Sequence, residues 1–144
     1  MIPREDIIID CGVILNDFLL FSYNMEIHSI SLRGRRNQNE DKHNAIINID
    51  SRDVQKAPIN YFGIYDGHGG KFVSKFLSKN LPNFFIDKRV QYPLKRKYIN
   101  GVYQHLQEIL RDKYSIYTKE CGSTCLVAIH SKKDGVDYIN IMNT

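Results

Sequence analysis

One stretch of this 144-residue chain combines an acid, an imidazole and three glycines: Asp66-Gly67-His68-Gly69-Gly70. It directly follows Tyr61-Phe62-Gly63-Ile64-Tyr65, an apolar run of strand composition, so the glycines fall where the backbone must turn out of a strand. Such a turn lets main chain approach a ligand closely, with a carboxylate and an imidazole beside it. A purely structural alternative is a strand-to-helix turn in which Asp66 caps the next helix. Upstream, Gly34-Arg35-Arg36-Asn37-Gln38-Asn39-Glu40-Asp41 places two adjacent carboxylates a few residues after two arginines. Taken alone, that segment reads first as a solvated loop. Gly122-Ser123-Thr124 opens a later apolar run, where small residues suit close packing.

These groups need elements to hold them. Met25 to Leu32 and Asn44 to Ile49 read as two paired strands, the second with Ala45, Ile47 and Ile49 on one face. The charged segment between them is too polar for a strand interior and belongs at a sheet end or edge. A polar loop runs through Pro58, and the Tyr61–Tyr65 run predicts a strand buried on both faces. From Phe72 the spacing of Phe72, Val73, Phe76, Leu77 and Leu81 becomes helical until Pro82 interrupts it. A second helix is predicted by the broad stripe Tyr98, Ile99, Val102, Tyr103, Leu106, Ile109, Leu110, in spite of Gly101. Cys125 to His130 and Val136 to Met142 predict a hairpin turned by Asp134-Gly135. Strands, two helices, then strands point to an α+β fold with helices on one face of an antiparallel sheet.

Bulk properties remove several classes of function. With 42% hydrophobic residues the chain suffices for one domain with a core. A net charge of +4 without a basic block argues against a nucleic-acid footprint. Cys11, Cys121 and Cys125 make an odd count with no CxxC pair, which argues against a disulfide framework or structural zinc and for a reducing, intracellular compartment. Asp10, Asn16 and Asp17 interrupt the apolar stretch from Ile7 to Phe21, so neither a membrane span nor a signal peptide is expected and the protein reads as soluble. His28, His43, His105 and His130 fall at no metal-ligand spacing in the sequence and suit surface or core positions.

The motifs in this order resemble the PP2C (PPM) family of metal-dependent protein serine/threonine phosphatases. The family's Gly-x-Arg-x-x-x-Glu-Asp segment is matched by Gly34, Arg36, Glu40 and Asp41, its Asp-Gly-His-Gly-Gly strand end by residues 66–70, and its Gly-Ser-Thr strand by residues 122–124. The resemblance implies the N-terminal part of a four-layer α/β/β/α sandwich with antiparallel sheets, in residues 25–144, after an N-terminal extension of residues 1–24. It also implies two Mg²⁺ or Mn²⁺ ions, with Asp66 bridging them, the Gly67 carbonyl on one, and Glu40 and Asp41 holding or orienting their waters. Hard cations of this kind prefer such oxygen donors. Hydroxide held between the ions would attack phosphorus, Arg36 would grip the phosphate with Arg35 as its neighbouring competitor, and His68 would protonate the leaving Ser or Thr oxygen, unless it only orders the site's surroundings. A cysteine-based phosphatase would need a phosphate-cradling loop ending in Arg, which the cysteines here lack.

A domain of that family is about twice this length. The chain stops where an Asn-x-Gly-Asp segment is expected, and two later Asp motifs are also missing. Asp134-Gly135-Val136-Asp137 has the form of one such motif but falls in a short hairpin. The expectation is therefore weak metal binding, uncovered apolar sheet, and complementation by a second chain, oligomerisation or poor solubility. A phosphoprotein is the expected substrate. From a different class of function, a phosphatase-like module that binds phosphopeptides without turnover is the alternative.

Overall fold

The computed structural model of this protein describes residues 8–11, 27–49, 58–87 and 89–144. The chain divides into two compact units, 1–39 and 40–144. In the first, β1 (Ile8–Cys11) pairs antiparallel with β2 (His28–Ser31), Ile8 opposite Ser31 and Cys11 opposite His28. Met25 and Glu26, the start of the expected strand, lie outside the described residues, as do most of the Ile7–Phe21 stretch and the polar loop at 50–57. The expected pairing of this strand with 44–49 is not what forms. Strand composition marks a strand without naming its partner, and β2 takes β1 instead.

The second unit is built on one antiparallel sheet. Numbered in chain order, β3 (Lys42–Ile46), β4 (Asn60–Tyr65), β7 (Leu126–Lys133) and β8 (Val136–Asn143) lie side by side in that order. β3 ends at Ile46, short of the expected Ile49, because residues 47–49 bend away and Asn48 takes φ 51°. Its facing also differs from the expected one: Ala45 is exposed, whereas Ile46 and Ile49 pack on the core. The β7–β8 hairpin turns at Asp134 (φ 51°) and Gly135 (φ 80°), the paired positive φ values of a two-residue type I′ turn.

Helices cover one face of this sheet. α1 (Phe72–Asn80) inserts Val73 and Leu77, a 3₁₀ turn (Leu81–Phe85) inserts Leu81 and Phe85, and α2 (Arg96–Lys113) inserts Val102, Leu106 and Leu110 at four-residue spacing. They meet Tyr61, Tyr65, Val127, Ile129 and Met142 in a single core. Each such apolar side chain contributes about 1.5–3 kcal/mol by leaving water. Pro82 falls near the start of the 3₁₀ turn, so its missing N–H does not interrupt a helix interior. Gly63 has a packing role here: a Cβ on it would lie 2.5 Å from the Tyr65 hydroxyl, so the Tyr65 ring crosses it and reaches the Tyr61 hydroxyl at 2.7 Å.

The opposite face is open among the described residues. Ile64, Leu126, Ile139 and Ile141 are 58, 43, 67 and 70% exposed. Strand register joins them, with Ile64 opposite Leu126 and Ile141 opposite Ala128. β4 is thus buried on one face and not on both as its composition suggests. The chain is apolar on both sides of the sheet while its helices cover only one. The architecture is α+β, as the element order predicts.

Candidate active site at the end of the β4–β7 ladder

The ladder that starts with Asn60 opposite His130 keeps one register to Ile64 opposite Leu126. β5 (Gly67–His68) and β6 (Gly122–Ser123) resume it unchanged, Gly67 opposite Ser123 and His68 opposite Gly122. The Asp-Gly-His and Gly-Ser-Thr segments are therefore one continuous antiparallel pairing. At its centre, the Thr124 amide donates to the Asp66 carbonyl at 2.9 Å, and the Asp66 amide donates to the Thr124 hydroxyl at 3.2 Å. The Thr124 carbonyl accepts instead from Ser123 Oγ at 2.7 Å. The backbone of Asp66 is thereby fixed while its side chain stays exposed.

Pleat alternation assigns the faces. Residues 66 and 68 continue the side of Ile64, the uncovered one, while Gly67 falls on the helix side. Burial agrees, since Gly67 is buried and Asp66 and His68 are exposed. β3 enters from the other flank: Lys42 pairs with Tyr65, so Asp41 and Asp66 each stand one residue past the last pair.

Two close approaches lock this corner. A Cβ at Gly67 would lie 2.4 Å from the Glu40 carbonyl oxygen and 2.8 Å from Ser74 Oγ, so only glycine fits between β3 and α1. The fully buried Ser74 hydroxyl donates to that same Glu40 carbonyl at 2.5 Å and also lies 3.2 Å from the Lys71 carbonyl. The His68 imidazole packs on Gly122, where a Cβ would sit 2.4 Å from Nε2. Gly69, at φ +68°, leaves its Cβ position to the Glu120 carbonyl, which would be 1.7 Å away, and the Cys121 thiol donates to the Gly70 carbonyl at 3.0 Å.

Among the sequence candidates, the second unit thus brings Glu40, Asp41, Asp66, Gly67 and His68 to one sheet end. Arg36 and Arg35 belong to the first unit, exposed in the turn where Gly34 takes φ 64°. Ser74 and Thr124 were not singled out as site residues in the sequence. A serine beside the apolar stripe of α1 was the available signal for one, and the Gly-Ser-Thr segment, read there as packing, for the other. Asp66 does not cap α1, whose N-cap is Lys71 with no side-chain capping bond. Among the described residues, no group of three or more His, Cys, Asp or Glu side chains is placed to hold a metal ion.

Cys125 is not placed as a nucleophile. Cys125 is 1% exposed, and burial pushes its thiol pKa up against the opposing hydrogen bond from Tyr103. Asp137 of the hairpin motif is engaged by His130 Nε2 at 2.9 Å and by Lys132 at 3.7 Å. No described helix is long and apolar enough to cross a membrane.

Comparison with known proteins identifies the family. The chain is 30% identical over 121 residues to Protein phosphatase 1L of Bos taurus, covering 78% of this chain and 32% of that protein. It is 29% identical to Protein phosphatase 2C homolog 3 of Schizosaccharomyces pombe, over 79% of this chain and 26% of the yeast protein. An uncharacterized protein, R306, of Acanthamoeba polyphaga mimivirus is 30% identical over 90 residues, 81% of its own length. The chain therefore spans about a third or less of the two phosphatases it matches. A crystal structure of a bacterial serine phosphatase carrying a point mutation shares the fold at TM-score 0.56 and 20% identity, over 76% of this chain and 48% of that one. The Protein phosphatase 2C family pattern matches residues 25–142, and the chain belongs to that family.

Proposed function

We propose that this chain carries part of a metal-dependent protein serine/threonine phosphatase site, hydrolysing phosphoserine and phosphothreonine once a second sheet, of the same or another polypeptide, covers its open face. The observation that supports this best is the single ladder that holds Asp66, Gly67 and His68 at the sheet end reached by Glu40 and Asp41. The donor set is all oxygen on that corner, which suits Mg²⁺ or Mn²⁺. Asp66, the Gly67 carbonyl and, through water, Glu40 and Asp41 would supply part of the ligands of two such ions, the rest coming from whatever covers the open face. Bound there, divalent cations supply Lewis-acid activation of water and neutralise phosphoryl charge.

The chain's own groups would do the rest. Gly67 has no Cβ, so its peptide seats against the Glu40 carbonyl and Ser74 and holds the turn at the sheet end. Thr124 holds the Asp66 backbone in register. His68, whose imidazole is seated on Gly122, would deliver a proton to the departing Ser or Thr oxygen. Arg36 would bind the phosphoryl oxygens through its planar fork.

The need for a cover rests on the four large apolar residues exposed on the face to which Asp66 and His68 also belong. Whatever covers that face also borders the carboxylates and can contribute further ones. A second reading, a phosphopeptide-binding module without turnover, draws on the small number of metal-binding side chains gathered among the described residues. Hydrolysis of a phosphothreonine peptide with Mn²⁺, in the presence of the complementary half of a Protein phosphatase 2C domain, separates the two. The phosphatase reading expects turnover that Asp66→Asn removes. Peptide binding with no turnover under any metal would leave the binding module.

A further inference from the structure

α3 (Ser115–Thr118) is a single short turn whose apolar side chains face solvent: Ile116 is 82% exposed and Tyr117 60%. Tyr117 is nonetheless held in place. Its ring stacks on Phe72 at a centroid distance of 4.9 Å and 16° between planes. Phe72 in turn leans on Tyr114 at 5.4 Å, and Tyr114 on Phe76 at 5.6 Å. Core packing accounts for the inner rings of this series. It does not account for an outer ring left open beside an exposed isoleucine.

The patch continues into the loop of the active site. Phe72 lies two residues after Gly70, while the chain leaving α3 places the Glu120 carbonyl against Gly69 and the Cys121 thiol on the Gly70 carbonyl. The charge around it is one-sided. Lys71 at the N-cap of α1, Lys75 on α1, and Lys113 and Lys119 on either side of α3 are exposed, and none is in an ion pair among the described residues. Of the acids flanking α3 in the chain, Asp112 is engaged by Arg111 at 2.7 Å, which leaves Glu120 beside Lys113 and Lys119.

We infer that this patch docks the substrate chain next to its phosphorylated residue, and that it selects an acidic segment carrying an aromatic or branched aliphatic side chain. The apolar side chain lies on Tyr117 and Ile116, and the acids face the lysines. The inference rests on the phosphatase reading for the identity of the partner as a substrate, but its test does not depend on turnover.

The test is fluorescence anisotropy of the 144-residue chain with a labelled phosphothreonine peptide bearing several acids and one Trp. Control peptides have the Trp replaced by Ser, or the acids replaced by their amides. Both controls should bind more weakly, and the double variant I116S/Y117A should weaken the parent peptide about ten-fold, the loss of one modest interface anchor. Lys75→Glu with Lys119→Glu should weaken it further at low salt and less at high salt. All four positions are exposed, so circular dichroism should stay unchanged, and the urea midpoint should fall by no more than the loss of the Tyr117–Phe72 stack accounts for. Equal affinity for the three peptides, or for the double variant and wild type, overturns the inference, as does binding of this patch only to phosphatidylserine vesicles. Peptide selectivity kept by the chain, with no hydrolysis even when the complementary Protein phosphatase 2C half-domain and Mn²⁺ are added, overturns the phosphatase reading alone.

Discussion

The Asp66 amide donates to the side-chain hydroxyl of Thr124 at 3.2 Å, where a regular ladder would use the Thr124 carbonyl. This single substitution of acceptor ties the Gly-Ser-Thr strand to the acid of the Asp-Gly-His turn. Thr124→Val keeps the shape and removes the acceptor, so it should lower stability by about 1 kcal/mol and Thr124→Ser by much less. Urea unfolding of the two variants checks this, and equal midpoints would count against the role assigned to the hydroxyl.

Gly67 and Ser74 both meet the Glu40 carbonyl, one by the absence of a side chain and one by a hydrogen bond. Gly67→Ala forces a Cβ against main chain, at a cost of about 1–3 kcal/mol. Ser74→Ala leaves the carbonyl without its buried donor, at a cost of about 1–2 kcal/mol. Because they share one atom group, the double variant should lose less than the sum of the two, by at least about 0.5 kcal/mol in a double-mutant cycle. Strict additivity would mean that the two contacts are independent.

Stability at alkaline pH follows from the tyrosines of the core. Burial raises the hydroxyl pKa values of Tyr61, Tyr65 and Tyr103 above the ordinary 10.0 in the folded chain. Below about pH 10 both states keep these protons and nothing changes from this source. Above it the unfolded chain releases protons that the folded chain retains, so stability falls by up to about 1.4 kcal/mol per pH unit for each group. The double variant Y61F/Y65F should flatten that fall, measured as urea midpoints on either side of pH 10. An unchanged slope would contradict the buried-hydroxyl account.

Much of this was legible in the sequence, and the gaps have physical causes. Four-residue spacing in Val102, Leu106 and Leu110 fixed the face of α2, and Asp134-Gly135 fixed the hairpin, because both are local signals. Strand pairing is not local, so the pairing expected between 25–32 and 44–49 gave way to β1 with β2 and β3 with β4. Composition reports what a strand could bury, not what covers it, hence the half-exposed Ile64. The Asp-Gly-His-Gly-Gly segment stood out because its glycines answer to contacts such as Gly69 against Glu120. Ser74 and Thr124 escaped notice because a hydroxyl aimed at main chain looks, in sequence, like any small polar residue.

The central claim is a phosphatase site that is built on this chain and completed across its open sheet face. The measurement that tests it most directly is Mn²⁺-dependent hydrolysis of a phosphothreonine peptide by the chain alone, by the chain mixed with a complementary Protein phosphatase 2C half-domain, and by the mixture carrying I139K/I141K. The account predicts activity only on mixing, and its loss both in the face variant and in Asp66→Asn. Full activity of the chain alone, or of the mixture with the face variant, would contradict it.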